Sequence, residues 1–106
     1  MAYIYQVSFD ILPDQMREMQ IGAALQRVLG YLRTTLPSER GYVTSRAMYS
    51  VDMADRTHLI FQSVWQSWED LDAYRRSSLD EAKVVIEFLP HVTLKNLSVH
   101  IYEEVA

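Results

Sequence analysis

Four segments of the chain alternate apolar and polar residues in the way that half-buried β-strands do. The first covers residues 3–9, where aromatic and β-branched side chains share one face and Gln6 and Ser8 share the other. Similar patterns predict strands at residues 42–49, 57–65 and 97–102. Because only a short polar turn separates the second and third strands, we expect them to form a hairpin.

The longest helical pattern runs from Gln15 to Leu36, where helix-forming residues dominate and no proline interrupts. Its apolar residues recur at helical spacing and form one stripe, made of Ile21, Leu25, Val28, Leu29, Leu32 and Leu36. Met16, Met19 and Ala23 fall on the opposite side of an ideal helical wheel. Two interpretations stay open for the two methionines: partial exposure on a distorted helix, or the lining of a ligand pocket or subunit contact.

A second helical region begins after Ser67, since Ser67 and Asp70 have the spacing of a capping box. A second such box at Ser78 predicts that the helix breaks near Ser77 and restarts. The restarted piece has its apolar residues at helical spacing, and we expect its buried face to consist of Ala82, Val85, Ile86 and Leu89.

The order β-α-β-β-α-β predicts a single α+β domain over residues 1–106, with a ferredoxin-like fold: a four-stranded antiparallel sheet that carries both helical regions on one face. The other face, called here the open face, must meet water or a partner. Apolar and aromatic residues are expected on it, namely Ile4, Ile60, Val64, Tyr42 or Tyr49, and Tyr102. We therefore predict a homodimer through the open sheet face.

Composition narrows the function classes. The chain has 106 residues, a formal net charge of −4 and no cysteine, which excludes disulfides, thiolate nucleophiles and Cys-ligated zinc. Its three histidines lack the spacing of a metal site, so no metal is expected. No basic surface is indicated for nucleic acid, and no apolar stretch is long enough for a membrane span. Without a secretory signal at its start, the expected location is cytoplasmic.

The run from Ser63 to Tyr74 resembles the strand-to-helix signature of the antibiotic biosynthesis monooxygenase family: a Trp that ends the third strand, a small residue two positions on, and an acidic helix start. Gly41 also stands where that family opens its second strand with Gly. The resemblance implies a dimeric α+β barrel, in which two sheets form the barrel, the helices lie outside, and each subunit has a pocket between sheet and helices.

That superfamily contains cofactor-independent oxygenases of polycyclic aromatic compounds, quinol oxygenases, haem-degrading oxygenases and members without a known reaction. Relatives that degrade haem have a Trp where this chain has Tyr74 and a His where it has Val84. Their first-strand Asn also has no counterpart, since Val7 and Ser8 occupy that neighbourhood. The resemblance therefore disfavours haem, and no cofactor is expected.

Cofactor-independent oxygenation needs an apolar, aromatic-lined cavity with a few polar groups. The residues expected to line it, or to reach its mouth in the case of the histidine, are Trp65, Tyr74, Phe61, Tyr5 and His91. Each aromatic residue can equally be a core residue, and the sequence identifies no catalytic base. The interpretation is an oxidoreductase, a cofactor-independent monooxygenase of a small aromatic or quinol-type compound. The alternative is a non-catalytic dimeric α+β barrel that binds a small apolar ligand, so whether the protein is an enzyme stays open.

Overall fold

A computed structural model of the chain describes residues 2–12, 19–78, 84–88 and 95–105. Its strands are β1 (Tyr3–Ile11), β2 (Tyr42–Tyr49), β3 (Thr57–Trp65) and β4 (Lys95–Glu103), and its α-helices are α1 (Met19–Gly30) and α2 (Trp68–Ser78). The strands form one sheet in the order β2-β3-β1-β4, and every neighbouring pair is antiparallel. This arrangement confirms the predicted ferredoxin-like α+β fold. Among the described residues, no helix is both long and apolar enough to cross a membrane.

The core lies between the sheet and the helices. Alternate residues of β1 and β3 point into it, as their hydrophobic alternation predicts, and the helices supply the opposing side chains. Its buried members include Tyr5, Val7, Phe9 and Ile11 on β1, Leu59, Phe61 and Trp65 on β3, and Ala24, Val28, Leu32, Leu36, Leu71 and Tyr74 from the helical segments. Burial of each large side chain contributes about 1.5–3 kcal/mol.

The first helical region is not one uniform helix. The α-helix ends at Gly30 and continues as a π-helical turn, Tyr31–Thr35, and a 3₁₀ turn, Leu36–Ser38. Thr34 Oγ1 donates a hydrogen bond to the Gly30 carbonyl at 2.6 Å, a side-chain bond of the kind that bends helices. Leu32 and Leu36 still face the core, and Ala23, which lies opposite the apolar stripe, is exposed. The predicted start at Gln15 and the Met16 and Met19 side chains lie outside the described residues.

The second helical region begins as predicted, because the Asp70 N–H donates to Ser67 Oγ at 3.2 Å. The helix reaches Ser78, and the predicted restart at residues 79–83 lies outside the described residues. The predicted buried face is wrong at Ile86, which is 61% exposed. Residues 86–88 form a turn, and this turn places Phe88 in the core against Phe9 and Phe61 instead. Val84 and Val85 are buried, whereas Ala82 and Leu89 are not described.

The register of the sheet corrects the predicted open face at two tyrosines. Tyr42 pairs with Trp65 and Tyr49 pairs with Leu59, so both lie on the helix side of the sheet. The cause is a bulge between Tyr42 and Thr44, which adds one residue to β2 and moves Tyr42 to the other face. The other predicted residues do lie on the open face, because residues that pair directly share one face of a sheet. They are Ile4, Ile60, Val64 and Tyr102, which pair with one another or with Thr44 and Met48.

Polar side chains cross the middle of the open face. Arg46 Nε donates to Gln62 Oε1 at 2.8 Å, and Gln62 Nε2 donates to Gln6 Oε1 at 2.7 Å. These three residues, called here the amide rung, stand side by side on β2, β3 and β1, and His100 is opposite Gln6 on β4. The open face is therefore divided into apolar rows by a hydrogen-bonded polar one, which sequence alternation alone does not show.

Candidate functional site

The helix side of the sheet carries a group of stacked aromatic rings at the end of β3. Trp65 is fully buried, and its Nε1 donates to Ser63 Oγ at 2.9 Å. The Tyr74 ring, from α2, stacks on the Trp65 ring with centroids 4.7 Å apart and planes inclined by 27°. Tyr42 meets Trp65 edge-on at 6.1 Å. Such ring pairs add about 0.5–1.5 kcal/mol beyond their burial and hold one another in place.

A fourth ring joins this group through its hydroxyl. Tyr31, the first residue of the π-helical turn, shares a hydrogen bond with the Tyr74 hydroxyl. We call Tyr31, Tyr42, Trp65 and Tyr74 the aromatic cluster. Sequence analysis missed Tyr31 because its approach to Tyr74 depends on the π-helical turn, a feature that often occurs at functional sites. The cluster thus holds a hydrogen-bonded pair of phenolic hydroxyls beside a stack of flat apolar rings.

The structure separates the predicted pocket residues into two groups. Trp65 and Tyr74 are in contact, whereas Phe61 packs with Phe9 and Phe88 at centroid distances of 5.9 and 6.3 Å. Tyr5 lies between these groups on β1, opposite Ser63. Tyr5, Phe61, Trp65 and Tyr74 are each at most 3% exposed, which places all four in the core. His91 lies outside the described residues, and its role stays a prediction.

A cleft of about 370 Å³ opens beside Tyr74. Its other walls are Glu39, Arg40, Glu69, Asp70 and Ala73. Arg40 Nε lies 3.5 Å from Asp70 Oδ1 across this cleft. The cleft therefore has a charged rim and one aromatic wall, and Tyr74 connects it to the buried rings behind.

The wall of this cleft is fixed by a close contact between the turn before β2 and the first turn of α2. Gly41 has φ +83°, and a Cβ added to it would lie 2.4 Å from both Cβ and Oδ2 of Asp70. Its carbonyl accepts a hydrogen bond from the Gln66 N–H at 2.9 Å. Glycine is needed here because the left-handed backbone and the contact both exclude a side chain. The two parts of the sequence signature, Gly41 and the acidic start of α2, are thus in direct contact.

A second polar group, missed by sequence analysis, lies on the open face where β1 ends. Asp10 is 4% exposed, and its carboxylate binds His58 Nδ1 at 2.5 Å and Asn96 Nδ2 at 2.7 Å, with Arg56 Nε at 3.5 Å. We call Asp10, Arg56, His58 and Asn96 the Asp10 cluster. His58 follows a polar turn, yet its side chain is only 26% exposed. The pairing of Asp10 with His58 follows from strand register, which the sequence does not reveal.

Burial raises the pKa of the Asp10 carboxyl, but the hydrogen bonds from Asn96 and His58 and the charges of His58 and Arg56 outweigh it, so the net pKa lies below its ordinary value. Asn96 reaches Asp10 from a bulge in β4, where its backbone adopts φ 54°. Within the described residues, no three carboxylates or histidines converge as a metal site would require.

Comparison with solved structures places this fold among known ones. A protein named as an antibiotic biosynthesis monooxygenase, from Deinococcus radiodurans, superposes with a TM-score of 0.67 at 12% identity and covers 98% of this chain and 93% of its own. SnoaB from Streptomyces nogalater, a cofactor-independent oxygenase, gives 0.60 at 9% identity over 97% and 92% of the two chains. A dimeric protein of unknown function with a ferredoxin-like fold, from Bacteroides fragilis, gives 0.66 at 8% identity over 96% of each chain.

The chain shares the fold of these proteins. The resemblance seen in the Ser63–Tyr74 run and at Gly41 is therefore confirmed at the level of the fold. No protein-family profile matches the sequence, and no curated protein matches it significantly. Identities this low carry no substrate and no reaction from one protein to another.

Proposed function

We propose that this protein is a cofactor-independent monooxygenase of a small aromatic or quinol-type compound. The observation that supports the proposal best is the aromatic cluster beside the cleft, where Tyr74 stacks on Trp65 and shares a hydrogen bond with Tyr31. Flat apolar rings with a few fixed hydroxyls suit a planar aromatic substrate that carries a phenolic or enolic oxygen. SnoaB, which has the same fold, is named a cofactor-independent oxygenase.

The proposed reaction needs only the substrate and O₂. An activated ring CH₂ group, as in an anthrone, loses a proton to water, and the resulting carbanion reduces O₂ to a peroxide anion, which takes a proton back from water to give a hydroperoxide. Loss of water then leaves a carbonyl, so one oxygen atom enters the substrate and the other leaves as water. One hydroxyl of the Tyr31–Tyr74 pair donates a hydrogen bond to the substrate oxygen, where negative charge develops after the first step, and the bond between the two tyrosines orients that hydroxyl.

Oxygen uptake with reduced naphthoquinones and anthrones tests this function. We expect saturable uptake by the wild-type protein without added flavin or metal, and a fall in kcat/KM of about tenfold or more for Tyr74→Phe and Trp65→Phe. Trp68→Phe is the matched control, because Trp68 is 40% exposed and packs on Tyr3 and Arg75, away from the cluster. No uptake across the panel, or an equal fall in the control, would contradict the proposal.

One observation favours a second candidate, a non-catalytic barrel that binds a small apolar ligand. The two described histidines, His58 and His100, lie on the open face of the sheet, so neither is placed to act as a base in the aromatic cluster. The same panel separates the two functions. Ligand binding that quenches the fluorescence of Trp65, together with no oxygen uptake, would support the second.

We also propose that two copies associate through the open face. Its apolar residues Ile4, Ile60, Val64 and Tyr102 support the proposal, as does the dimeric Bacteroides fragilis protein of the same fold. Sedimentation at micromolar concentration is expected to give twice the 12.4 kDa chain mass. Val64→Arg is expected to yield the monomer, whereas Ile86→Arg, a substitution of an exposed residue on the helix side, is expected to leave the dimer intact. A monomeric wild-type protein would overturn this assignment.

A further inference from the structure

The Asp10 cluster has the geometry of a group that accepts protons, and it lies on the opposite face of the sheet from the aromatic cluster. Asp10 is buried at the end of β1, and its carboxylate oxygen Oδ1 lies 2.5 Å from His58 Nδ1. A second oxygen of the same carboxylate accepts the Asn96 amide at 2.7 Å. With these contacts on both oxygens, the carboxylate holds one orientation and fixes the imidazole ring beside it.

The hydrogen bond to Asp10 also determines which ring nitrogen of His58 is free. An ionised carboxylate only accepts hydrogen bonds, so Nδ1 must carry the hydrogen in the neutral ring and Nε2 must carry the lone pair. No described residue forms a hydrogen bond with Nε2, and about a quarter of the His58 side chain is exposed. The lowered pKa of Asp10 keeps the carboxylate ionised near neutral pH, and an ionised partner stabilises the imidazolium that a proton transfer would form.

Asp10 and Arg56 lie on one side of His58, and the next open-face residues along the strands are small or apolar. Ile60 follows it on β3, and Ile60 is paired with Ser8 on one side and Met48 on the other. Ser8 is 4% exposed, and its hydroxyl makes no hydrogen bond to the described part of the chain. A buried hydroxyl without a partner is unusual and costly, and a bound polar group would satisfy it. The surface beside His58 thus combines apolar contacts with one unused hydroxyl, and a second copy bound through the open face would supply the outer wall of this site.

We propose that His58, oriented by Asp10, is a proton-accepting residue of a second ligand site, and that this site takes a small, largely apolar weak acid with an acidic O–H or activated C–H bond. In the step, that O–H or C–H bond breaks, an N–H bond forms at Nε2, and the ligand becomes an anion beside the imidazolium. The proton then passes to water. Asp10 and Asn96 act as positioning residues, since neither touches the ligand.

Ring opening of 5-nitrobenzisoxazole is a direct probe of such a base. Removal of its one acidic C–H proton breaks the ring N–O bond and gives a single coloured phenolate that carries a nitrile group, with no oxidant or cofactor. We expect the rate constant of the wild-type protein to fall about tenfold or more in His58→Gln, which can still donate a hydrogen bond to Asp10 but cannot accept the proton. His100→Gln is the matched control, an exposed histidine on the same face, and its rate constant is expected to stay within about twofold.

Charged groups around His58 enter the pH dependence of that rate. They are Asp10 on β1, Arg56 and Asp55 in the turn before β3, and Lys95 at the start of β4. We expect the rate of the wild-type protein to depend on pH, and this dependence to be absent in His58→Gln and altered in Asp10→Asn. An unchanged rate in His58→Gln, or an equal fall in His100→Gln, would overturn the proposal.

A measurement on the unaltered protein covers the case in which a variant fails to fold. In histidine labelled with ¹⁵N, the His58 signals of the neutral ring are expected to show hydrogen on Nδ1 and a lone pair on Nε2. Hydrogen on Nε2 would overturn the proposal. Because the aromatic cluster is on the other face, failure here leaves the oxygenase proposal standing, and loss of oxygen uptake in Tyr74→Phe leaves this one standing.

Discussion

The contact between Gly41 and Asp70 gives the most quantitative prediction, the effect of Gly41→Ala on stability. An alanine there must keep φ +83° and fit a Cβ within 2.4 Å of two Asp70 atoms. The left-handed backbone costs about 1–2 kcal/mol for a residue with a Cβ. Relief of the overlap requires Asp70 to move, which breaks its bonds with Ser67 at the start of α2, a cap of about 1 kcal/mol.

We therefore expect Gly41→Ala to lower the free energy of unfolding by about 2–3 kcal/mol. Urea denaturation followed by tryptophan fluorescence measures it, at one fixed protein concentration because association changes apparent stability. Gly22→Ala is the matched control, since a Cβ at that helical position meets nothing within 4 Å. It is expected to be neutral or to stabilise by up to about 1 kcal/mol.

A second background separates the two parts of this loss. Asp70→Gly removes the atoms that the new Cβ would meet, so Gly41→Ala made in that background should lose only the backbone part, about 1–2 kcal/mol. A loss below about 1 kcal/mol in the wild-type background would refute the reasoning. Equal losses in both backgrounds would show that the contact with Asp70 contributes nothing.

Three further predictions concern the hydrogen-bonded tyrosines of the aromatic cluster, the core, and Asp10. Tyr31→Phe and Tyr74→Phe should each lower stability by about 1 kcal/mol, and the double variant should lose less than the two single losses combined, because both remove one hydrogen bond. Phe88→Ala should lose about 3–5 kcal/mol and Ile86→Ala under about 0.5 kcal/mol, and the reverse order would contradict the observed burial. Because folding lowers the pKa of Asp10, the contribution of its carboxylate to stability is complete above pH about 4 and is lost as the pH falls through the folded-state pKa. The difference in stability between wild type and Asp10→Asn, measured by urea denaturation from pH 7 to pH 3, should therefore become smaller in acid. A constant difference would exclude this linkage.

The fold was predictable because each element shows its own periodicity. Tyr5, Val7 and Phe9 alternate with polar residues on β1, and Ser67 caps α2 as its spacing indicates. Features that depend on one extra residue were not predictable. The bulge at Tyr42 and the π-helical turn at Tyr31 each shift the phase of the following side chains, and period counting assumes a constant phase.

The candidate site was only partly predictable for the same reason. Trp65 and Tyr74 emerged as a pair because both belong to the strand-to-helix signature, and the structure stacks them. Tyr31 reaches Tyr74 across 43 positions of sequence, and His58 reaches Asp10 across 48. Contacts between residues so far apart depend on packing and strand register, for which a single sequence gives no direct signal.

The amide rung affects how a lone copy of this chain behaves in water. A newly made or highly diluted chain exposes its whole open face. A continuous apolar surface there would bind other proteins without specificity. The amide rung keeps a polar row through the middle of that surface. Met48 and Ile60 lie on one side of this row, and Val64 and Ile4 lie on the other. In the association proposed above, the polar row would interact with water in the lone copy, and the apolar rows on its two sides would contact the second copy.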